Sequence, residues 1–242
     1  MNLLRLAQPP PLRQSIVLCA LLAAALAVVS CGGGKKAAQA PAITPWEALA
    51  RSKAAMAAAQ SFKFELAHPT GATQLPGGLF LTRADGAVVA PDRLSVNAEA
   101  NFGRVFIKVQ AVVIGRDTYM TNFLTGAWSA IPPEDSPFAF LDPIGLVASL
   151  VGEVTGPAFP EPLKAGGDLV IKGRISAKPL AALVGSVDES KTVDVRLTLD
   201  PASYLLKEVL VEGAVQPGEG QNAARLIKLS GFGEPISIER PV

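Results

Sequence analysis

Alternating apolar and polar positions run through most of the chain after residue 60 and predict β-strands. Residues 61–67 show the pattern most clearly, because successive side chains of a strand point to opposite faces, and 104–115 is the longest such stretch. Asp85-Gly86 is typical of a two-residue hairpin turn. The same pattern predicts strands over 78–84, 86–90, 93–100, 117–122, 127–130, 168–176, 193–199, 205–215, 224–232 and 236–239. Short turns separate most of these strands, so we expect antiparallel pairing.

Three helices are predicted between the strands. The first has Thr44 as its N-cap, Pro45 at its first position and Glu47 in a capping box, and an Ala-rich stretch continues it to residue 59. Its apolar stripe is predicted to comprise Trp46, Leu49, Ala50, Met56 and Ala57. Shorter helices are predicted over 144–151 and 179–184. The order of elements predicts an α+β fold with one large curved antiparallel sheet and helices on one side.

The N-terminus has the layout of a secretory signal. Arg5 and Arg13 precede the uncharged apolar stretch 15–29, which is the length of a signal core and too short to span a membrane. The sequence Val-Val-Ser-Cys that ends at Cys31 resembles the lipobox of bacterial lipoproteins, in which the Cys is acylated and becomes the first mature residue. An ordinary signal followed by an unmodified Cys is the alternative.

This interpretation divides the chain into three parts. Residues 1–30 are a signal peptide that is removed, 31–43 are the lipidated Cys31 with a flexible Gly-rich tether, and 44–242 form a single domain. The only other cysteine, Cys19, falls within the signal, so we expect no disulfide and no thiolate metal site in the mature chain. The expected location is the extracytoplasmic face of the cell membrane, where the acyl chains hold the protein.

Composition and motifs argue against an enzyme. The 22 basic and 21 acidic residues nearly balance, and basic residues are not interleaved with aromatic ones, so no nucleic-acid partner is expected. The single histidine, His68, precedes a proline in a predicted turn after the first strand. The acidic pairs Glu134-Asp135 and Asp188-Glu189 lie in predicted loops without other catalytic groups nearby. We therefore predict no catalytic residue, metal or cofactor.

Several strands carry apolar residues at neighbouring positions, as in 205–215, so both faces of the sheet contain apolar side chains. A sheet covered on both sides explains this pattern, and so does a sheet curled around an apolar cavity for a small ligand. The candidate wall residues of such a cavity are Phe62, Phe64, Val105, Ile107, Val109, Val195, Leu197, Val209 and Val211. The same residues would serve in an ordinary core.

Three stretches carry a resemblance to a known family: GAVVAPDRLSVNAEA (86–100), VVIGRDTYMTNFLTGAWSAI (112–131) and DPIGLVASLVGEV (142–154). They resemble the LppX/LprG group of actinobacterial lipoproteins. The matching positions are Gly86, Val88, Pro91, Asp92, Arg93, Gly115, Tyr119, Trp128 and the helix at 144–151. The resemblance implies a half-barrel sheet with helices on its concave side, similar to the LolA/LolB carriers, and an apolar cavity for acyl chains.

The sequence thus supports a membrane-anchored lipoprotein that binds an acyl-chain lipid or glycolipid and transfers it through the cell envelope. An envelope transporter is a possible partner of such a carrier. The alternative is a lipoprotein that docks on an envelope protein and has a solid interior. An enzyme acting on lipid or glycan is a third class, and it would need clustered polar groups in a cleft.

Overall fold

A computed structural model describes residues 43–136 and 143–241. Residues 1–42 lie outside this part, and with them the predicted signal peptide, Cys31 and all but the last residue of the predicted tether. Those assignments therefore stay predictions. Within the described residues, no helix is both long and apolar enough to cross a membrane.

Twelve strands of the described residues form one antiparallel sheet. They are β1 (Ser61–Thr70), β2 (Thr73–Leu75), β3 (Leu79–Val89), β4 (Arg93–Phe102), β5 (Val105–Ile114), β6 (Asp117–Thr121), β7 (Trp128–Ile131), β8 (Thr155–Ala158), β9 (Leu169–Ser176), β10 (Thr192–Leu199), β11 (Leu206–Glu212) and β12 (Ala224–Ser230). The spatial order is β7-β6-β5-β4-β3-β1-β12-β11-β10-β9-β8, and β2 pairs with β3. β7 and β8 are the two end strands and do not pair with each other, so the sheet is open, as an α+β half-barrel requires.

The α-helices of the described residues are α1 (Pro45–Ala57), α2 (Pro143–Gly152) and α3 (Ala181–Val184). The predicted capping box of α1 is confirmed at its N-cap, where the Thr44 hydroxyl accepts a hydrogen bond from the Glu47 amide at 3.2 Å. The helices pack against the concave side of the sheet, which we call the inner face. Met56 of α1 contacts this face directly, since its Sδ accepts a hydrogen bond from the Leu206 amide at 3.3 Å.

The predicted apolar stripe of α1 is partly wrong. Trp46 is 60% exposed, and the buried residues are Ala48, Leu49, Ser52 and Met56. Successive members of this set are one, three and four positions apart, which places them on one face of the helix. This face is rotated away from Trp46. The small Ala48 and Ser52 allow the helix backbone to approach its neighbours closely.

The predicted hairpin turn at Asp85-Gly86 is wrong, because β3 continues through both residues. Gly86 serves a packing role instead. It pairs with Phe64 on β1, and a Cβ added to Gly86 would lie 1.9 Å from the carbonyl oxygen of Ser95 and 2.9 Å from the Phe64 ring. The glycine is thus required because the neighbouring strand and an aromatic ring occupy the space of a side chain.

Two further predictions are corrected at the ends of the sheet. β1 extends through His68 to Thr70 with an irregularity in its pairing after Ala67, so His68 lies in a strand rather than a turn. The segment 236–239 is not a strand, although Arg93 donates a hydrogen bond to the carbonyl oxygen of Ile238 at 2.9 Å. This side-chain contact holds the C-terminal segment against the sheet without a ladder partner.

β8 was not predicted, because Gly156 and Pro157 interrupt its four residues. Proline lacks the amide hydrogen that a central strand needs, but an edge strand can accommodate it. β8 is indeed the last strand in the order, and it pairs with β9 alone. The Pro-rich region 131–162 therefore contributes an edge strand as well as the predicted helix, which is confirmed as α2.

Candidate functional site

The two halves of the inner face are packed differently. One core cluster joins strand residues of β9 to β12 to helix residues such as Leu49, Met56 and Leu150, and it continues onto β3 and β4 through smaller or less completely buried residues such as Leu81 and Ala98. Among the described residues, the largest side chains with less than 2% exposure are Arg225, Leu150, Ile171, Ile175, Leu180, Leu197, Leu199, Leu206, Val151, Val184, Val209 and Val211. All of them belong to β9–β12, α2, α3 or the turn before α3. The other half, formed by β3 to β7, contributes none.

An apolar trough with a volume of about 460 Å³ lies on this second half. Its lining residues are Leu75, Gly77, Leu79, Leu81, Ala98, Ala100, Phe102, Ile107, Val109, Met120, Thr121, Asn122, Phe123, Ser129 and Ile131. Only three of these, Thr121, Asn122 and Ser129, have polar side chains, and all three come from β6, β7 and the loop between them. An apolar concavity with a few polar groups on one side is typical of a site for a small apolar ligand.

The residue sizes along β4 and β5 explain why the trough is there. Ala98 and Ala100 point to the inner face, and their cross-strand partners are Val109 and Ile107. Two methyl side chains between larger neighbours leave a depression in the sheet surface. None of the α-helices of the described residues contributes to the lining of this depression.

The register places all nine predicted wall residues on the inner face, but in three different environments. Val195 pairs with Val211 and Leu197 with Val209, and all four are buried in the helix-covered core. Phe62 and Phe64 belong to or pack against the same core cluster. Ile107 and Val109 line the trough, and Val105 is 54% exposed at the start of β5. Whether any of them contacts a lipid stays a prediction.

Most of the trough-lining residues were not predicted as wall residues. The residues that were missed lie on β4 and β6, the two neighbours of β5, and on β3, the next strand after β4: Leu79, Leu81, Ala98, Ala100 and Met120. The alternation of β4 was visible in the sequence, but its alanines gave a weak apolar signal. Residues that leave space are harder to recognise by hydrophobicity than residues that fill it.

A buried polar network surrounds His68 on the inner side of β1 and β12. Arg225 is fully buried, forms an ion pair with Glu219 and donates from Nε to the Thr73 hydroxyl at 3.1 Å. His68 Nδ1 lies 2.9 Å from the Thr82 carbonyl oxygen, and Nε2 lies 2.9 Å from the Thr73 hydroxyl. A carbonyl only accepts, so Nδ1 carries the hydrogen and Nε2 accepts from Thr73.

The pKa of His68 is set mainly by its burial. Burial lowers the pKa of His68 below its ordinary value, and the nearby charge of Arg225 acts in the same direction. Glu219 also accepts hydrogen bonds from the amides of Val215 and Gln216, at 2.8 and 3.1 Å. The cluster therefore ties the loop before β12 to β1 and β2, which is a structural role.

The predicted acidic pairs do not form a site. Glu134 and Asp135 are exposed in a turn, and the Asp188 carboxylate accepts hydrogen bonds from the amide and hydroxyl of Ser190, which lower the pKa of Asp188. Within the described residues, no three His, Cys, Asp or Glu side chains come together as metal ligands would.

Comparisons with known proteins place this fold in a family. The model of the LppX_LprAFG lipoproteins matches residues 44–238, so the chain belongs to this lipoprotein family, as its sequence motifs had indicated. No curated protein matches the sequence.

Solved structures agree on the fold. The crystal structure of LprF from Mycobacterium bovis is 15% identical, covers 81% of this chain and 96% of its own, and has a TM-score of 0.61. The Mycobacterium tuberculosis lipoprotein LppX is 17% identical, covers 81% of this chain and 98% of its own, and has a TM-score of 0.56.

Proposed function

We propose that this lipoprotein binds the acyl chain of an envelope lipid in the trough and transfers it within the cell envelope. The observation that carries the proposal is the open, apolar trough of about 460 Å³ on the inner face of the sheet. A protein that only needed a stable core would fill this space with larger side chains than Ala98 and Ala100.

The binding energy of such a site comes from removing the acyl chain from water. Each buried methylene contributes about 0.8 kcal/mol. Asn122 and Ser129 lie on one side of the trough, where their side chains can hydrogen-bond to the polar end of the lipid. The third polar residue, Thr121, has its hydroxyl bonded to the backbone of Gln110. Transfer by partition between membrane and trough needs no catalytic group and no cofactor, and the direction of transfer is set by a donor, a sink or an envelope transporter.

The proposal includes an anchor at Cys31, which holds the protein on the extracytoplasmic face of the cell membrane near its ligand. The lipobox-like sequence before Cys31 supports this location. Substitution Cys31→Ala is expected to leave the protein unprocessed or released from the membrane, as membrane fractionation and mass determination of the mature N-terminus would show. A signal-cleaved Cys31→Ala protein that stays membrane-bound would contradict the anchor.

The ligand itself is tested by gentle extraction from the native host followed by lipid mass spectrometry. We expect a lipid with at least one long acyl chain to co-purify with the wild-type protein. Repeated lipid-free preparations under conditions that preserve other lipoprotein–lipid complexes would contradict the proposal.

Docking on another envelope protein is the second candidate, since large apolar side chains such as Phe106 and Leu124 are exposed. That function would not require an open interior, so the trough favours the lipid-binding function. Co-purification of a stoichiometric protein partner without lipid would favour docking instead.

A further inference from the structure

Large exposed apolar side chains cluster at one end of the sheet. Eight such residues occur among the described ones, and two of them, Trp46 and Leu163, lie on α1 and in the loop before β9. The other six are Phe80, Phe102, Val105, Phe106, Phe123 and Leu124, which are 43–80% exposed and which we call the apolar tip. A contiguous apolar patch on a protein surface marks a binding surface.

The strand register brings the members of the tip together. Phe102 and Val105 face each other across the β4–β5 hairpin, and Asn101 pairs with both Phe80 and Phe106. On the other side of the trough, the β6–β7 loop carries Phe123 and Leu124. Phe102 and Phe123 line one end of the trough, whereas Phe80 and Phe106 lie on the outer face of the same strand ends, so the tip extends over both faces at this end of the sheet.

We propose that the apolar tip inserts into the surface of a lipid bilayer and places this end of the trough against the membrane. Aromatic side chains are favoured at the interface between water and hydrocarbon, and here three separate segments project them from the same end of the sheet. A membrane fits such a tip better than a helix or peptide does, because the residues protrude from turns and strand ends, and only Phe102 and Phe123 also line the trough.

The charges of the tip are complementary to anionic headgroups. Arg104 is exposed in the β4–β5 turn and forms no ion pair with any described residue, whereas Lys108 is paired with Glu99 at 2.7 Å. The segments 102–108 and 121–131 contain no Asp or Glu. A cation among apolar side chains is attracted to the negative surface of a bilayer and does not oppose insertion, because its long side chain can reach the headgroups.

The proposal goes beyond lipid binding, since insertion of the tip does not require an occupied trough. It also differs from the anchor at Cys31, which tethers the chain but does not orient the domain. Insertion can therefore be measured on the anchored protein as a fixed orientation, with the tip in the bilayer and the opposite end of the same strands in water.

The test uses the lipid-anchored protein reconstituted in vesicles of phosphatidylcholine and phosphatidylglycerol that carry spin-labelled acyl chains. A fluorophore is attached to a cysteine introduced as Leu124→Cys, or as Arg116→Cys in the exposed β5–β6 turn at the other end of these strands. We expect the spin labels to quench the fluorophore at position 124 at least about fivefold more strongly than at position 116, since apolar burial favours the inserted orientation.

A second variant controls for the fluorophore. Val105→Ser with Phe106→Ser removes two apolar side chains that are more than half exposed and do not line the trough, so neither the fold nor the trough should depend on them. Quenching at position 124 should then fall to the level measured at position 116. Equal quenching at both positions in the wild-type background, or undiminished quenching in the double variant, would overturn the proposal. Neither result depends on lipid in the trough, so failure here is distinct from failure of the carrier function.

Discussion

Filling part of the trough should weaken lipid binding without unfolding the protein. Ala100 is the best position, because it faces the trough between Leu81 and Ile107 and has the smallest side chain that strands tolerate well. Ala100→Phe places a ring in the open space. The adjacent Asn101 faces the outer side of the same strand, so Asn101→Phe is a matched control that places the same ring outside the trough.

The expected loss of binding free energy depends on how much of the acyl chain the ring displaces. If the ring excludes about three methylene groups, at about 0.8 kcal/mol each, binding weakens by about 2.4 kcal/mol. Since about 1.4 kcal/mol corresponds to tenfold in affinity, the dissociation constant should rise about fiftyfold. The trough holds about 460 Å³, so the ring occupies only part of it and shorter chains should lose less affinity than longer ones.

The assay is a titration of delipidated protein with cis-parinaric acid, whose fluorescence increases in apolar surroundings. Wild-type protein and Asn101→Phe should bind it equally, and Ala100→Phe should bind it about fiftyfold more weakly. Urea unfolding of all three proteins checks that the fold is intact. Wild-type affinity in Ala100→Phe would refute the trough as the ligand site, as would an equal loss in both variants.

Three further predictions concern the fold. Glu219→Gln leaves the buried charge of Arg225 without its partner and should lower the free energy of unfolding by about 3–5 kcal/mol in urea titrations; a loss below about 1 kcal/mol would contradict the buried ion pair. Gly86→Ala forces a Cβ against the Ser95 carbonyl and should cost at least about 2 kcal/mol, whereas wild-type stability would show that the strands can separate there. Because burial lowers the pKa of His68, stability should be complete above the ordinary His pKa of about 6.5 and fall as the pH drops below it. Unfolding at about pH 7.5 and about pH 5.5 should show this loss in wild type and not in His68→Gln, and equal losses would exclude His68 as the cause.

The fold was largely predictable because its strands alternate and its turns are short. The long alternation around Ile107, the capping box at Thr44 and the antiparallel order are all local signals, and they identify the fold class. The misplaced features have non-local causes. Gly86 reads as a turn residue, but the Phe64 ring and the backbone of β4 determine its role. Trp46 reads as a core residue, but the packing of α1 against its neighbours leaves it exposed.

The candidate site was predictable only in part. Alternation correctly assigned the inner face, so Ile107 and Val209 were both recognised as inward-facing. Alternation could not tell which of the two lies in the core and which in the trough, because long-range packing determines which half of the inner face the helices cover. Val209 is buried in the core, whereas Ile107 lines the trough. Ala98 and Ala100 leave the space that forms the trough, but alanine contributes little to a hydrophobicity pattern, so the sequence showed no sign of it.

The unequal cover of the inner face explains how one sheet can be stable and open at the same time. The large side chains with the least exposure, such as Ile171 and Leu197, lie in the half that α1, α2 and α3 complete, so most of the burial that stabilises the fold is concentrated there. The other half also contributes residues such as Val88 and Val96 to the core, but around Ala98 and Ala100 it leaves apolar surface unfilled. A carrier requires this arrangement, since a cavity in the main core would cost stability whenever it was empty. A trough beside the core can be emptied and refilled while the helix-covered half remains folded.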